Sequence, residues 1–268
     1  MLINPLYREV IENHPDIDGI LELKDFKTTL SYIKKEKFNC SIHLFPTFKT
    51  SLMTFLSGIP QRIGTGYRIY SFLYNKKIYM HRKTCEFHEA EYNVLLLKKA
   101  GFDIPFIKPK IYLNEKEREK IKENFKNFKK PFICIHPESR GSAPNWSFDN
   151  YKKLIEILDI KGTVFITGLK KNFEIKEREN IIDLRGKLNL REFINFVSFC
   201  DLVFAPSTGV IHIASALNVK VVTIFSEKIP FTPKRWGPLG KSKILTVPDE
   251  NLDKISVEKV KKEIESFL

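Results

Sequence analysis

The stretch Asp201–Phe225, DLVFAPSTGVIHIASALNVKVVTIF, decides the fold. Leu202 to Ala205 is a short apolar run, and Pro206-Ser207-Thr208-Gly209 breaks it. Ile211, Ala214, Ala216 and Leu217 then recur at helical spacing, with small residues that let a helix lie close to a sheet. Val221 to Phe225 reads as a second buried strand. Strand, tight loop, helix and strand make a βαβ unit. Its loop lies at the carboxyl end of the first strand, where open parallel sheets bind ligands. The helix behind the loop begins with backbone N–H groups and the positive end of its dipole. Ser207, Thr208 and Gly209 add two hydroxyls and a residue without a side chain. Together they make a phosphate cradle; the alternative is a Ser or Thr that only caps the helix.

Outward from this unit, strands and helices alternate. Phe132 to Ile135 is a strand ending at His136-Pro137, Ser147 caps a helix from Phe148 to Leu158, and Thr163 to Thr167 is a strand ending at Gly168. Ile181 to Leu184 is another strand, and Asn189-Leu190-Arg191-Glu192 has the form of a capping box opening a helix to Phe199. Ser256 opens a last helix with Val257, Val260, Ile264 and Phe267 on one stripe. Nearer the start, Tyr7 to Asn13 reads as the end of a helix, Ile17 to Leu23 as a short strand and Phe38 to Leu44 as a strand. Thr47 to Leu56 and His88 to Ala100 read as helices; Gly58-Ile59-Pro60 stops the first and Gly101 the second. Arg62-Ile63-Gly64 leads into a loop carrying Tyr67, Tyr70 and Tyr74, and the charged run Asn114 to Lys130 reads as an exposed helix. The pattern predicts an α/β protein with doubly wound parallel sheets.

The 268 residues allow one large or two ordinary domains, and 43% hydrophobic with 29% charged residues fits a globular chain. No apolar run approaches a membrane span, and the start has no basic end followed by an apolar core. Cys40, Cys85, Cys134 and Cys200 are far apart, so neither zinc nor a disulfide framework is indicated and reduced thiols in a cytoplasm are expected. Forty-five Lys and Arg against 32 Asp and Glu give a net charge of +13. Such a balance favours an anionic partner: a phosphorylated substrate, an anionic membrane surface or nucleic acid. Nucleic acid is the weakest of these, because aromatics do not alternate with basic residues as a stacking platform requires. The dinucleotide and P-loop glycine motifs and the G-x-S-x-G elbow are absent, which argues against ordinary dehydrogenases, P-loop NTPases and α/β-hydrolases.

Two further loops bear on chemistry. Ile135 to Trp146, IHPESRGSAPNW, follows a strand and offers hydroxyls, glycine and one guanidinium suited to a diphosphate; the alternative is a surface loop anchored by Trp146. Gly168 to Glu174 follows the next strand, and Glu174 reads either as a ribose ligand or as an exposed helical glutamate. His212 stands one turn into the cradle helix, either near a phosphate or as a satisfied buried histidine. The cations of Phe231 to Pro238, FTPKRWGP, either meet a diphosphate or are solvated.

These segments, taken in order, resemble glycosyltransferase family 9, the ADP-heptose–lipopolysaccharide heptosyltransferases. The resemblance rests on HPDIDGIL at His14, SLMTFLSGIPQRIG at Ser51, HEAEYNVLLLKKAG at His88, IHPESRGSAPNW at Ile135, DLRGKLNLREF at Asp183, PSTGVIHIASAL at Pro206 and RWGPLG at Arg235. It implies a GT-B fold of two Rossmann-like domains, with an N-terminal acceptor-side domain over 1–112, a linker helix over 113–130 and a nucleotide-sugar-binding domain over 131–268. It also implies transfer of a heptose from ADP-heptose to a lipid-linked lipopolysaccharide core acceptor, with inversion, without an obligatory metal or other cofactor, at the cytoplasmic face of a membrane. Ser139 and Arg140 would lie near the donor phosphates, Thr208 and Gly209 at the diphosphate, and Glu174 at the ribose; the residues themselves add Ser207 and His212 to the nucleotide-sugar-binding candidates.

Three departures from the family pattern shape the expectation. The family opens with a strand, a Gly-Asp loop and a helix, whose aspartate is its general base; this chain starts after that unit, so its first domain is expected to be truncated by about 30 residues or more. Pro144 and Ser207 replace a basic and an acidic residue of the pattern. Transfer needs a base within reach of the acceptor hydroxyl, no catalytic residue is assigned, and His88, Glu89 and Glu91 are the substitutes. The competing reading is a non-catalytic nucleotide-sugar-binding remnant or an incomplete gene product.

Overall fold

The computed structural model describes residues 1–139 and 141–268. The chain divides into two compact units, one of Met1–Arg8 with Ile17–Ile107, the other of Glu9–Asp16 with Lys108–Leu268. In the first, β1 (Leu2–Ile3) pairs in parallel with β2 (Leu21–Glu22); the one-turn helix α1 (Arg8–Ile11) lies between them in sequence, and all of it but Arg8 belongs to the second unit. Then come α2 (Phe26–Glu36), β3 (Cys40–Ile42), α3 (Phe48–Leu56), β4 (Gln61–Thr65), β5 (Lys76–Ile78) and α4 (Glu89–Lys99), with the strands in a parallel sheet of order β3-β4-β5. Side-chain oxygens close the helix starts: Asp25 accepts from the Thr28 N–H, and Thr47 from the Thr50 N–H. The sequence pattern gave no strand signal at β4 or β5. Only Ile63 and Gly64 of β4 and Ile78 of β5 are buried, so apolar periodicity is too thin to read there.

The motif glycine Gly64 has a steric cause. A Cβ at this position would stand 2.5 Å from the ring of Tyr74. Tyr74 is buried, its hydroxyl 2.5 Å from Ser51 Oγ on α3 and its ring 4.9 Å from that of His43. His43 Nε2 lies 3.1 Å from Thr54 Oγ1. The backbone of β4 therefore approaches α3 with one tyrosine ring between them.

The second unit contains α5 (Glu115–Glu123), β6 (Phe132–Ile135), α6 (Phe148–Ile157), β7 (Thr163–Ile166), β8 (Ile181–Asp183), α7 (Leu190–Val197), β9 (Leu202–Pro206), α8 (Gly209–Ala216), β10 (Lys220–Ser226), α9 (Pro233–Trp236), β11 (Ser242–Val247) and α10 (Val257–Glu265). Its six parallel strands run in the order β11-β10-β9-β6-β7-β8. The chain builds outward from β6 through β7 to β8, then returns to the other side of β6 for β9, β10 and β11. That is the doubly wound order, with its switch point between β6 and β9.

Both faces of this sheet are covered, and the strands alternate between two cores. Ile133, Ile135, Leu202, Phe204, Val222 and Ile224 meet α6 and α10 on one face. Phe132, Cys134, Val203, Ala205, Val221 and Phe225 meet α7 and α8 on the other. Burial on both sides explains why these strands read as unbroken apolar runs. The charged run was expected to be helical from Asn114 to Lys130, but α5 ends at Glu123. Beyond it the chain turns so that Phe125 and Phe128 reach the ring of Phe165, at 5.4 and 5.3 Å. Burying two aromatic rings outweighs continuing a solvated helix.

The first strands of the three- and six-stranded sheets are each followed by a histidine beside a hydroxyl. His43 follows β3, and His136 follows β6 with Nδ1 3.0 Å from Thr167 Oγ1. Burial holds both rings well below the ordinary value, at about 4.

Two outcomes follow for stability. Gly64→Ala should destabilise the first unit by about 1–3 kcal/mol, as overpacking does; an unchanged thermal midpoint would show that Tyr74 yields freely. The unfolded chain protonates these histidines near 6.5 and the folded chain only near 4. Their contribution is therefore full above about pH 6.5 and falls as the pH drops toward 4, with about 2 kcal/mol lost per histidine at pH 5. Urea midpoints at pH 7.5 and pH 5 should differ accordingly, and His136→Asn should reduce the difference.

Candidate functional site

The switch point brings together the two loops singled out by their hydroxyls. β6 and β9 are hydrogen-bonded neighbours, with Ile135 opposite Phe204. Just beyond, the His136 N–H donates to the Phe204 carbonyl at 2.9 Å. The loop after β6 and the Ser207-Thr208 loop after β9 thus leave the same sheet edge side by side.

The α8 start is open. Thr208 is its N-cap residue with an extended backbone, but its side chain makes no capping hydrogen bond. Asp25, Thr47, Asn114, Ser147, Asn189 and Ser256 all accept a backbone N–H at their helices. The reading of Ser207 or Thr208 as a simple side-chain cap is therefore not what α8 shows. Gly209 is exposed, and among the described residues, apart from its chain neighbours and its own helix backbone, no atom stands within 4 Å of the place where a Cβ would be. Ser207, Thr208 and His212 are half-buried around it. The arrangement can accept an anion on backbone N–H groups at the positive end of the helix dipole.

The loop after β6 is shaped by its own residues. The Ser139 N–H donates to Asn145 Oδ1 at 3.0 Å, and the Ser139 hydroxyl donates to the Ala143 carbonyl at 2.7 Å. Ser139 is buried, so its hydroxyl proton is spent inside the loop. Trp146 is 1% exposed; its indole N–H donates to the Ile255 carbonyl at 3.1 Å and its ring lies 5.1 Å from Tyr151. Arg140, expected near the donor phosphates, lies outside the described residues.

Glu174 is exposed and stands in no helix, which corrects the helical reading of this segment. Phe173 stacks on Phe148 at 5.3 Å and underlies the Arg185 guanidinium at 4.6 Å. That packing holds the chain extended across the sheet edge. Glu174 follows β7, and β6 separates β7 from β9. On the far side of β9, Thr232 caps α9, Lys234 is exposed and the Arg235 guanidinium lies 4.8 Å from the ring of Trp236.

The structure adds a cluster that residue-by-residue reading missed. At the end of β8, Arg185 donates from Nε and Nη2 to the two oxygens of Asp183, at 2.9 and 3.0 Å. Lys171 Nζ is 3.8 Å from the same carboxylate. Burial works to raise the Asp183 carboxyl, but the Arg185 hydrogen bonds and charge outweigh it and hold the group below its ordinary value. Arg185 Nη1 is buried with no hydrogen-bond partner among the described residues. Nearby, Asn172 donates to Glu138, whose carboxylate also lies against Gly168. The signal in the sequence was Asp-x-Arg-Gly directly after a short apolar strand.

The substitutes for a base are engaged locally at α4. His88 Nδ1 accepts the Ala90 N–H at 3.1 Å, Glu91 accepts the His88 N–H at 2.8 Å, and Glu89 pairs with Arg82.

Comparison with known proteins places the chain. The family model of glycosyltransferase family 9 (heptosyltransferase) matches residues 29–264. A Haemophilus influenzae protein named in general terms as a glycosyltransferase is 28% identical, over 91% of this chain and 78% of its own length. Lipooligosaccharide heptosyltransferase 2 of the same organism is 27% identical, over 82% of this chain and 69% of its own. The solved structure of Escherichia coli ADP-heptose lps heptosyltransferase II shares the fold, with a TM-score of 0.82 at 18% identity over 99% of this chain and 88% of that one. The architecture is therefore α/β and GT-B-like. By sequence motif, family match and fold alike, the chain belongs to glycosyltransferase family 9, the heptosyltransferase family.

Proposed function

We propose that this glycosyltransferase moves a heptose from ADP-heptose to a lipopolysaccharide-core acceptor, with inversion at the sugar, at the cytoplasmic face of a membrane. The single observation that carries the donor half is the uncapped, open start of α8. A helix whose N-cap side chain accepts none of its first N–H groups, beginning at a glycine over which no other described residue lies within 4 Å of a Cβ beyond its chain neighbours and its own helix backbone, suits a diphosphate. Ser207, Thr208 and Gly209 hold the phosphates, His212 supports that loop and Glu174 takes the ribose. Ser139 sets the shape of the facing loop rather than giving its hydroxyl proton to the donor. The fold match to an ADP-heptose heptosyltransferase supports the choice of nucleotide sugar. The names of the curated heptosyltransferase relatives support the acceptor class.

The net charge of +13 fits a phosphorylated, lipid-linked acceptor. Among the described residues, no helix is long and apolar enough to cross a membrane.

Gly209→Val tests the donor site at an exposed position, where a Cβ meets no other described residue within 4 Å beyond its chain neighbours and its own helix backbone. It should remove at least one charge-assisted hydrogen bond to the diphosphate, about 1.5–3 kcal/mol, or about 10- to 100-fold in the dissociation constant for ADP. Calorimetry with ADP reads this directly. Equal affinity in the variant and the parent would remove the diphosphate from α8. A transfer assay beside it separates an active enzyme from a chain that only binds the nucleotide sugar.

A further inference from the structure

The two most exposed large apolar side chains among the described residues are Ile69, at 99%, and Phe45, at 88%. They sit on neighbouring loops of the first unit, after β4 and β3. Phe72 and Phe48 stand beside them at 68% and 54%. Ile69 and Phe72 belong to the 3-10 helix Ile69–Leu73, in which residues three apart eclipse and so share one face. Ser71 and Leu73 on the opposite side are buried.

These loops are braced. The Ser71 hydroxyl donates to the Thr65 carbonyl at 2.7 Å. The Tyr70 hydroxyl donates to the Pro46 carbonyl at 2.9 Å, and the rings of Tyr70 and Phe48 meet edge-on at 5.9 Å. Hydrogen bonds and ring contacts thus tie the two loops together and hold their apolar tips outward. Two exposed cations adjoin the tips in sequence: Arg68 directly before Ile69, and Lys49 directly after Phe48, its Nζ donating to the Lys24 carbonyl at 3.2 Å.

We propose that this two-loop tip is a membrane-docking surface, with Phe45, Phe48, Ile69 and Phe72 entering the boundary between headgroups and acyl chains of an anionic bilayer. Arg68 and Lys49 then meet lipid phosphates. Long basic side chains beside apolar ones divide between headgroup and hydrocarbon in this way. Charge complementarity selects the occupant. A second copy of this chain would bring the same cations face to face on two molecules of net charge +13, whereas anionic lipid neutralises them. The tip lies at the carboxyl ends of parallel strands, the edge at which open sheets receive ligands. The choice of a membrane rests on the proposed lipid-linked acceptor; the surface itself rests on exposure, bracing and charge.

Flotation of the full chain with phosphatidylcholine vesicles, with and without phosphatidylglycerol, tests this. The parent should float with the anionic vesicles. The triple variant F45S/I69S/F72S should lose about ten-fold or more of its bound fraction at low and at high salt, because the apolar contribution is not screened. Lys49→Glu with Arg68→Glu should lose binding chiefly at low salt. All five positions are exposed, so thermal midpoints should match the parent. A triple variant that floats as the parent does overturns the proposal. So does sedimentation velocity showing a parent dimer that the triple variant abolishes while neither floats. ADP calorimetry on the same samples keeps the two readings apart. Vesicle binding without ADP binding sinks the donor assignment and leaves this surface standing; ADP binding without vesicle binding does the reverse.

Discussion

The second unit depends on the seam between β6 and β9. Every other strand of its sheet is added outward from these two, and both loops of the proposed donor site leave from their carboxyl ends. The seam is fastened at both ends. At its foot, the Asp201 N–H donates to the Phe132 carbonyl at 2.8 Å, and Asp201 Oδ2 accepts the Phe132 N–H at 2.7 Å. Lys130 Nζ lies 3.1 Å from the same carboxylate. At its top, His136 donates to Phe204. Each bond contributes only about 1 kcal/mol net, so their main effect is on register. A slip of one residue would exchange the two cores, moving Ile133 and Ile135 to the face that now takes Phe132 and Cys134.

That register makes an open site possible. Most of the helix starts in this chain are closed by a side-chain oxygen, and the start of α8 is not. An uncapped start would be costly in a buried place. It is tolerable at a sheet edge, where water or a ligand can reach the N–H groups. The Asp183–Arg185 pair serves the neighbouring edge differently. Two parallel hydrogen bonds hold the guanidinium in one plane, against the face of Phe173, and so stiffen the loop after β8. A buried pair of this kind is weak evidence for net stability and better evidence for a fixed geometry.

The first unit is built on smaller means. Its strands form a two-stranded pair and a sheet of three short strands, and its core is divided between a cluster around Ile63 and Leu96 and another around Ile33 and Met53. A polar group then carries weight in the packing: Ser51, Tyr74, His43 and Thr54 join α3 to the ends of β3 and β4. The apolar residues that this small core does not take up include those of the two loop tips. Their exposure follows from the fold: Ser71 and Leu73 use the inward face of a 3-10 turn, which leaves Ile69 and Phe72 on the outward one.

The sequence by itself determined the parallel α/β character of the chain, the strand–loop–helix unit around Ser207 to Gly209 and most helix starts, because each is written in local pattern. Doubly buried strands read as apolar runs, and caps read as Ser, Thr or Asn at a fixed offset; the start of α2 at Asp25 was not read. Ordered motifs were enough to reach glycosyltransferase family 9. Only the tertiary structure decided what depends on residues far apart in sequence. It joined the β6 and β9 loops at one edge, ended α5 early to bury Phe125 and Phe128, and drew β4 and β5 from segments with little apolar periodicity. It turned the Ser139 hydroxyl into its own loop, left Thr208 without a capping bond and set Arg185 on Asp183. Each of these outcomes depends on which surfaces meet, and local spacing along the chain carries no record of that.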